Sequence, residues 1–227
     1  MKTLLAALLT LSFTGAACAQ GPRVPADDPF AGEINNFAEL DVEDPQPPCA
    51  YLFVGSSMIK NWTTLERDMR PKTVINRGFG GSMVRHINLY FDRIVTPYKP
   101  RAIVVYSGDN DVAASIPPAE VVADYEKLVA LKREKLGDTP LYLMSVKPSP
   151  ERWAKLEAQR EVNAALVKIA EAQDVVFIDT ASSMLENGKP KDIYSDGLHF
   201  TAAGYAIWTR IVNDALAQPA PTRAPGC

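Results

Sequence analysis

Four short polar segments of this sequence carry groups that could do chemistry. They are Gly55-Ser56-Ser57-Met58, Gly80-Gly81-Ser82, Gly108-Asp109-Asn110-Asp111 and Asp196-Gly197-Leu198-His199. The first offers a hydroxyl nucleophile, and the last offers an imidazole base with a carboxylate three residues before it. The glycine segment offers a backbone N–H, and the third segment offers an amide side chain. Acyl transfer needs these functions together: a nucleophile, a base with an orienting carboxylate, and two oxyanion donors.

Taken alone, each segment also has an ordinary structural interpretation. Gly-Ser-Ser occurs in many plain turns, and closely spaced glycines suit a tight turn before a capped helix. Asp109 and Asp111 could bind a hard cation such as Ca²⁺, or the segment could form a simple Asx-turn. An isolated Asp-x-x-His is often only a surface pair. The functional interpretation therefore depends on whether the fold brings the segments together.

The histidines and cysteines argue against a metal centre. The sequence has two histidines; His86 lies in a predicted helix beside Arg85, and we interpret it as structural or pocket-lining. There is no His-Glu-x-x-His motif. Two histidines and the two cysteines that remain after the predicted signal cleavage do not make a convincing zinc site. We expect neither a metal nor another cofactor.

Five short apolar runs predict the strands that position the four segments. They cover residues 50–54, 73–75, 102–106, 141–146 and 175–178. Because these runs do not alternate with polar residues, both faces of each strand should be covered. The longer segments between them have helical periodicity, with starts predicted at Ser82, Pro118, Ser149-Pro150 and Thr201. Such alternation predicts a parallel sheet between helical layers, with the strand-to-helix loops along one edge.

The N-terminus resembles an export signal. Residues 1–19 are predicted to be a signal peptide, with Lys2, a short apolar run and the cleavage signal Ala17-Cys18-Ala19. Lipid anchoring at Cys18 is a competing interpretation. We therefore expect a periplasmic or secreted protein.

The mature chain is predicted to form one domain with two short extensions. Residues 20–48 are interpreted as a leader and an N-terminal helix that begins at Asp28-Pro29, and residues 49–217 as the domain. Residues 218–227 contain prolines and are predicted to form a loose tail. In an oxidising compartment, Cys49 and Cys227 could pair, although the sequence does not fix the distance between them.

Charge and hydropathy exclude two broad functions. The formal net charge is −3, and there is no basic stripe, which argues against a nucleic-acid partner. No run outside the signal peptide approaches membrane length, so no transmembrane segment is expected. The oligomeric state is not readable from the sequence.

In their order and spacing, the four segments resemble the SGNH hydrolase superfamily, also called GDSL esterases. The resemblance implies Ser57 as nucleophile, with Asp196 and His199 completing a triad. It implies an oxyanion hole formed by the Ser57 N–H, Gly81 and Asn110, with the adjacent Gly80 as a lesser alternative. Ser56 stands where many relatives have aspartate, which leaves two adjacent serines to distinguish. The segment with Lys147 has no matched catalytic role.

The resemblance also implies a fold and an activity. The fold is a flavodoxin-like, three-layer α/β/α sandwich whose five-stranded parallel sheet has the order 2-1-3-4-5. The activity is cleavage of carboxylic esters through an acyl-enzyme, on small-molecule, glycan or lipid esters such as acetylated glycans and lysophospholipids. An alternative function is a non-catalytic carbohydrate- or cell-wall-binding protein on the same fold. A third is a metal-dependent phosphoesterase that uses Asp109, Asp111 and His199.

Overall fold

The computed structural model describes residues 23–227 of the chain. The predicted signal peptide, its Cys18 and the first residues of the predicted leader lie outside the described residues. The chain divisions proposed from the sequence therefore remain predictions. Among residues 23–227, no helix combines the length and the apolar character needed to cross a membrane.

The core of the fold is one parallel sheet of five strands. The strands are β1 (Tyr51–Gly55), β2 (Val74–Gly78), β3 (Ala102–Tyr106), β4 (Leu141–Met144) and β5 (Val176–Ile178). All neighbouring pairs are parallel, and the spatial order is β2-β1-β3-β4-β5. The predicted sheet and its order 2-1-3-4-5 are confirmed. The short pair β6 (Leu185–Glu186) and β7 (Lys189–Pro190) forms a separate antiparallel hairpin that the sequence did not predict.

The register aligns the carboxyl ends of β1, β2 and β3. Gly55, the last residue of β1, pairs with Gly78 at the end of β2 and with Tyr106 at the end of β3. The polar segments that follow these strands therefore leave the sheet at the same edge. The fourth segment, which carries Asp196 and His199, follows β7 and not a strand of this sheet.

Helices cover both faces of the sheet. Their bounds are α1 (Ala31–Glu43), α2 (Ser57–Lys60), α3 (Leu65–Asp68), α4 (Val84–Leu89), α5 (Phe91–Ile94), α6 (Asp109–Ala113), α7 (Pro118–Leu136), α8 (Leu156–Gln173) and α9 (Ala202–Ala217). Val105 of β3 packs into an apolar cluster with Leu128 of α7 and Leu166 of α8. Val104, one position earlier, belongs to the opposite cluster with Trp208 of α9. Adjacent strand residues thus point to different faces, which gives the predicted three-layer sandwich.

Two predicted helix starts are wrong, because neither serine caps the helix that follows it. The Ser82 hydroxyl donates a hydrogen bond to the Gly55 carbonyl (3.2 Å), and α4 begins only at Val84. Ser149 is buried without a hydrogen-bond partner, and α8 begins at Leu156, after a short 3₁₀ turn. The starts predicted at Pro118 and Thr201 are confirmed, since Pro118 is the first residue of α7 and Thr201 is the N-cap of α9.

A local hydrogen bond orders the chain before α1, and a disulfide holds its C-terminal end. The Asp28 carboxylate accepts a hydrogen bond from the Phe30 N–H (2.8 Å) just before α1, close to the predicted helix start. Cys49 and Cys227 form a disulfide, with Cα atoms 5.6 Å apart. Residues 218–227 contain no helix or strand, but the disulfide fixes their end, and Ala224 is buried.

Candidate active site

Ser57 lies in the sharp turn that joins β1 to α2. A side chain at position 55 would place its Cβ 2.0 Å from the Tyr106 carbonyl oxygen, so the turn requires glycine there. Ser56 is only 2% exposed, whereas Ser57 is partly exposed and begins α2. The N–H of Ser57 is one of the first N–H groups of the helix, which have no partner within it. The turn therefore presents both the hydroxyl and the N–H of Ser57 at the sheet edge.

The structure brings Ser57, His199 and Asp196 together although 142 positions separate the first two. His199 Nε2 lies 2.9 Å from Ser57 Oγ, and His199 Nδ1 lies 2.7 Å from Asp196 Oδ2. An ionised carboxylate can only accept hydrogen bonds, so the proton of the neutral imidazole is placed on Nδ1. The lone pair of Nε2 then faces the Ser57 hydroxyl.

Asp196 also organises the loop that carries His199. Its second oxygen, Oδ1, accepts hydrogen bonds from the backbone N–H groups of Leu198 (3.0 Å) and His199 (2.7 Å). The hydrogen bond from His199 Nδ1, followed by these two backbone donors, holds the pKa of Asp196 well below its usual range. Asp196 therefore stays ionised in neutral and mildly acidic solution, as an orienting carboxylate must.

The two candidate glycine donors are distinguished by their surroundings. The Gly80 N–H donates to the Glu33 carboxylate of α1 (2.9 Å), so it is not free to bind an oxyanion. The Gly81 N–H has no partner among residues 23–227, and Gly81 is exposed with a φ of 72°. Glutamate 33 lies 47 positions before Gly80 in the chain, so the sequence alone could not separate the two glycines.

Asn110 follows β3 in the first turn of α6, and both ends of its amide are bonded. Its Nδ2 donates to the Ser82 carbonyl (2.9 Å), and its Oδ1 accepts from Arg152 Nη2 (3.0 Å). The Nδ2 group carries two hydrogens, and only one is used by the described residues. One amide N–H therefore remains available as a donor.

Sequence reasoning missed a buried ionic cluster beneath the site, which consists of Asp109, Lys147, Arg152 and Gln159. Asp109 Oδ1 lies 3.0 Å from Arg152 Nη1 and accepts a hydrogen bond from Gln159 Nε2 (3.3 Å), while Oδ2 lies 3.6 Å from Lys147 Nζ. The only sequence signal was the segment Val146-Lys147-Pro148-Ser149-Pro150, which had no assigned role.

Lys147 connects this cluster to the histidine loop. Its side chain is 0% exposed, and Nζ donates to the Leu198 carbonyl (2.8 Å), which belongs to the peptide bond before His199. Nζ also lies over the rings of Tyr194 (5.1 Å) and Phe200 (5.4 Å). Burial lowers the pKa of Lys147, and the neighbouring Asp109 opposes that shift by favouring the charged form.

The alternative uses of Asp109, Asp111 and His86 are not favoured. Two cationic side chains approach the Asp109 carboxylate, and Asp111 Oδ1 accepts the Val84 N–H (3.2 Å). Within the described part of the chain, no three His, Cys, Asp or Glu side chains form a group that could hold a metal ion. His86 Nδ1 accepts the Met83 N–H (3.0 Å), and its ring lies 4.7 Å from Phe30, in agreement with a structural role.

Solved structures with the same fold come from several bacteria. A Streptococcus pneumonia protein provisionally named for platelet activating factor is 24% identical, covers 82% of this chain and 91% of its own, and has a TM-score of 0.73. A GDSL-like lipase from Bacteroides thetaiotaomicron is 23% identical over 81% and 96% of the two chains, with a TM-score of 0.68. A catalytic mutant of an acetylxylan esterase from Geobacillus stearothermophilus is 18% identical, covers 77% of this chain and 96% of its own, and has a TM-score of 0.63.

A match over most of the sequence identifies the family. No curated protein matches the chain. Residues 55–207 match the model of the GDSL-like Lipase/Acylhydrolase family. This span is more than half of the 227 residues and contains Ser57, Gly81, Asn110, Asp196 and His199. The chain therefore belongs to the GDSL-like lipase/acylhydrolase family and is a carboxylic ester hydrolase.

Proposed function

We propose that this protein is an exported serine esterase in which Ser57, His199 and Asp196 form the catalytic triad. The observation that carries the proposal is the continuous hydrogen-bonded chain from Ser57 Oγ to His199 Nε2 (2.9 Å) and from His199 Nδ1 to Asp196 Oδ2 (2.7 Å). These distances are within the range for a nucleophile, its base and an orienting group.

In the first half of the reaction, Ser57 becomes acylated. His199 Nε2 takes the hydroxyl proton as Ser57 Oγ attacks the ester carbonyl, and Asp196 stabilises the imidazolium that forms. The oxyanion accepts hydrogen bonds from the Ser57 N–H, the Gly81 N–H and Asn110 Nδ2. His199 then gives its proton to the leaving alcohol, and the acyl group stays on Ser57.

In the second half, water releases the acid. His199 Nε2 takes a proton from a water molecule, and the resulting nucleophile attacks the acyl carbonyl on Ser57. The same three donors stabilise the second oxyanion. The proton on His199 returns to Ser57 Oγ as the acyl–oxygen bond breaks, so the enzyme is restored and no cofactor is consumed.

A structural neighbour has the same spacing between an aspartate and a histidine. Three catalytic mutants of the Geobacillus stearothermophilus acetylxylan esterase replace a serine, an aspartate and a histidine by alanine, with the aspartate three positions before the histidine. Asp196 and His199 have the same spacing. At 18% identity this likeness shows the fold alone, so the transfer of roles rests on the geometry around Ser57.

We propose that the substrates are bulky esters, with acetylated glycans favoured over lysophospholipids. The Asp196 side chain is 55% exposed, and Gly81 and Ser57 also reach the surface, so the site is open to bulky esters presented from solution. The acetylxylan esterase named above is consistent with an acetylated polysaccharide. A series of p-nitrophenyl esters of increasing acyl length, run beside acetylated xylan and a lysophospholipid, tests this choice.

Export is the third part of the proposal. The predicted signal peptide argues for it, and the Cys49–Cys227 disulfide supports it because such bonds persist in oxidising compartments. Fractionation of cells that express the full-length chain should find the processed protein in the periplasm or the medium. Accumulation of the uncleaved chain in the cytoplasm would contradict this part.

The nucleophile is tested with two adjacent serines. Ser57→Ala should abolish hydrolysis of a short p-nitrophenyl ester, because no other hydroxyl lies at His199 Nε2 among the described contacts. Ser56→Ala is the matched control and should keep most of the activity, since Ser56 is buried beside the site. Near-wild-type turnover by Ser57→Ala would reject the assignment.

The oxyanion role of Asn110 has a separate test. Asn110→Ala should lower kcat by about 10²–10³, the usual cost of one oxyanion donor, with little change in KM. The double variant Asn110→Ala/Ser57→Ala should be no slower than Ser57→Ala alone. An unchanged kcat in Asn110→Ala would remove this residue from the site.

A further inference from the structure

Arg152 connects the Asn110 amide to the buried carboxylate of Asp109. Its Nη2 donates to Asn110 Oδ1 (3.0 Å), and its Nη1 lies 3.0 Å from Asp109 Oδ1. The Arg152 side chain is 15% exposed, so it lies largely inside the protein. A single planar guanidinium thus binds two adjacent residues in the first turn of α6.

These contacts fix which end of the Asn110 amide faces which neighbour. The amide ends have nearly the same shape, so packing alone does not choose between them. Arg152 has only donors and therefore selects Oδ1, while the Ser82 carbonyl has only lone pairs and selects Nδ2. With both choices made, the unused hydrogen of Nδ2 is fixed in direction as well.

The same contacts strengthen Asn110 as a donor. A cation at Oδ1 draws electron density through the amide and makes the N–H groups of Nδ2 more polar, as in other chains of hydrogen bonds. Asp109 balances the buried charge of Arg152, and Lys147 and Gln159 hold Asp109 in turn. Arg152 therefore keeps a positive group at Oδ1 while it has a carboxylate partner inside the protein.

We propose that Arg152 is a positioning residue for the reaction: it orients and polarises the Asn110 amide so that Nδ2 donates to the oxyanion. This inference rests on the proposed function of Asn110. Arg152 acts through Asn110 and does not touch the reacting atoms. Its loss should therefore lower kcat and leave KM nearly unchanged.

The decisive experiment is a double-mutant cycle between Arg152 and Asn110, measured as kcat and KM on p-nitrophenyl acetate. Arg152→Met keeps a long side chain but removes every donor, and it should lower kcat about 10- to 100-fold in the otherwise wild-type protein. In the Asn110→Ala background the same change should lower kcat by no more than about twofold, because the group it positions is already absent.

Two further variants separate positioning from a general loss of structure. Arg152→Lys keeps a charge beside Asp109, so its thermal unfolding midpoint should stay near that of the wild type. One ammonium group lacks the planar fork that reaches both Asp109 and Asn110, so its kcat should remain below that of the wild type. Arg160→Gln is the control: Arg160 pairs with Glu157 in an exposed salt bridge, and its loss should leave kcat unchanged.

The outcomes distinguish this inference from the proposed function. Suppose that Ser57→Ala is inactive and Asn110→Ala is slow. If Arg152→Met then lowers kcat by the same factor with and without the Asn110 side chain, the positioning role is overturned. A large rise in KM in both backgrounds would overturn it too, since Arg152 would then bind substrate directly. If Ser57→Ala keeps wild-type activity, the proposed triad itself fails. If only Asn110→Ala keeps wild-type activity, Asn110 is not an oxyanion donor and the positioning role of Arg152 is overturned with it.

Discussion

Replacing Asp196 with asparagine changes one oxygen of a side chain that makes three hydrogen bonds. Oδ1 accepts from two backbone N–H groups, those of Leu198 and His199, and Oδ2 accepts from His199 Nδ1. In Asp196→Asn, the remaining oxygen should stay on the two backbone donors, because an amide NH₂ cannot accept from them. The NH₂ group then faces Nδ1.

This exchange should reverse the imidazole tautomer without disturbing the loop. Nδ1 of His199 must now accept a hydrogen bond, so the proton of the neutral ring moves to Nε2, 2.9 Å from Ser57 Oγ. A ring that donates to the hydroxyl cannot remove its proton. The same exchange in a serine protease triad lowers kcat by about 10⁴, or about 5 kcal/mol of activation free energy, and we expect a loss of this order.

Comparison with alanine makes the prediction sharper. In Asp196→Ala, water can accept from Nδ1 because position 196 is 55% exposed in the wild type, so the productive tautomer stays accessible. Asparagine should therefore be at least as damaging as alanine, although it preserves more of the loop. The assay is kcat on p-nitrophenyl acetate, with the thermal unfolding midpoint measured for each variant.

Two results would contradict the proposed role of Asp196. If Asp196→Asn keeps kcat within about tenfold of the wild type, Asp196 does not set the tautomer of His199. If Asp196→Asn is well folded and much faster than Asp196→Ala, the carboxylate contributes mainly by holding the loop.

Three further predictions follow from groups outside the triad. Lys147→Met removes the donor to the Leu198 carbonyl, so the loop that carries His199 should shift. We expect kcat for ester hydrolysis to fall about 10²-fold, while circular dichroism shows that the variant is folded. Burial raises the pKa of Asp111 from 3.8 to about 6, so the folded state loses up to about 3 kcal/mol as pH rises through this interval. When measured above pH 6, the thermal unfolding midpoint of Asp111→Asn should therefore be higher than that of the wild type. Below the unfolded-state pKa of the carboxyl group the two midpoints should be equal. An equal gain at every pH would contradict this. Reducing the Cys49–Cys227 disulfide, which spans 178 positions, should lower the free energy of unfolding by up to about 5 kcal/mol in urea titrations. The control is Cys227→Ser, which cannot form the disulfide and whose stability should not change when a reductant is added.

The sheet was predictable because each strand is encoded locally. The run at residues 102–106 coincides with β3, and the other four runs lie within a few residues of their strands. These strands are buried on both faces, so their apolar character is continuous and easy to recognise. The order of the strands came from the resemblance to a known family and not from the runs themselves.

Helix starts were harder to predict because capping residues can be engaged elsewhere. Ser82 resembled an N-cap, but its hydroxyl donates to the Gly55 carbonyl across the sheet edge. Ser149-Pro150 resembled a helix start, but the chain makes a 3₁₀ turn at Trp153–Lys155 before α8 begins. The first error arises from a tertiary contact that local sequence does not specify, and the second from a local turn that the Ser-Pro pattern does not reveal.

The motifs marked the candidate site residues but not the residues that support them. Ser57 and His199 were marked by their motifs, and the structure brings them within 2.9 Å. Arg152 reaches Asn110 across 42 positions, and Glu33 reaches Gly80 across 47. Neither partner lies in a motif, so only the fold could connect Arg152 to the amide or exclude Gly80 as a donor.

The site of covalent labelling by a fluorophosphonate probe tests most directly whether His199 activates Ser57 as the nucleophile. Such a probe reacts only with a serine hydroxyl that a base has activated. We expect one adduct in the intact mass of the wild-type protein, mapped by peptide sequencing to Ser57. This adduct should be retained in Ser56→Ala and lost in Ser57→Ala and His199→Ala. An adduct on Ser56, or labelling of His199→Ala at the wild-type rate, would contradict it.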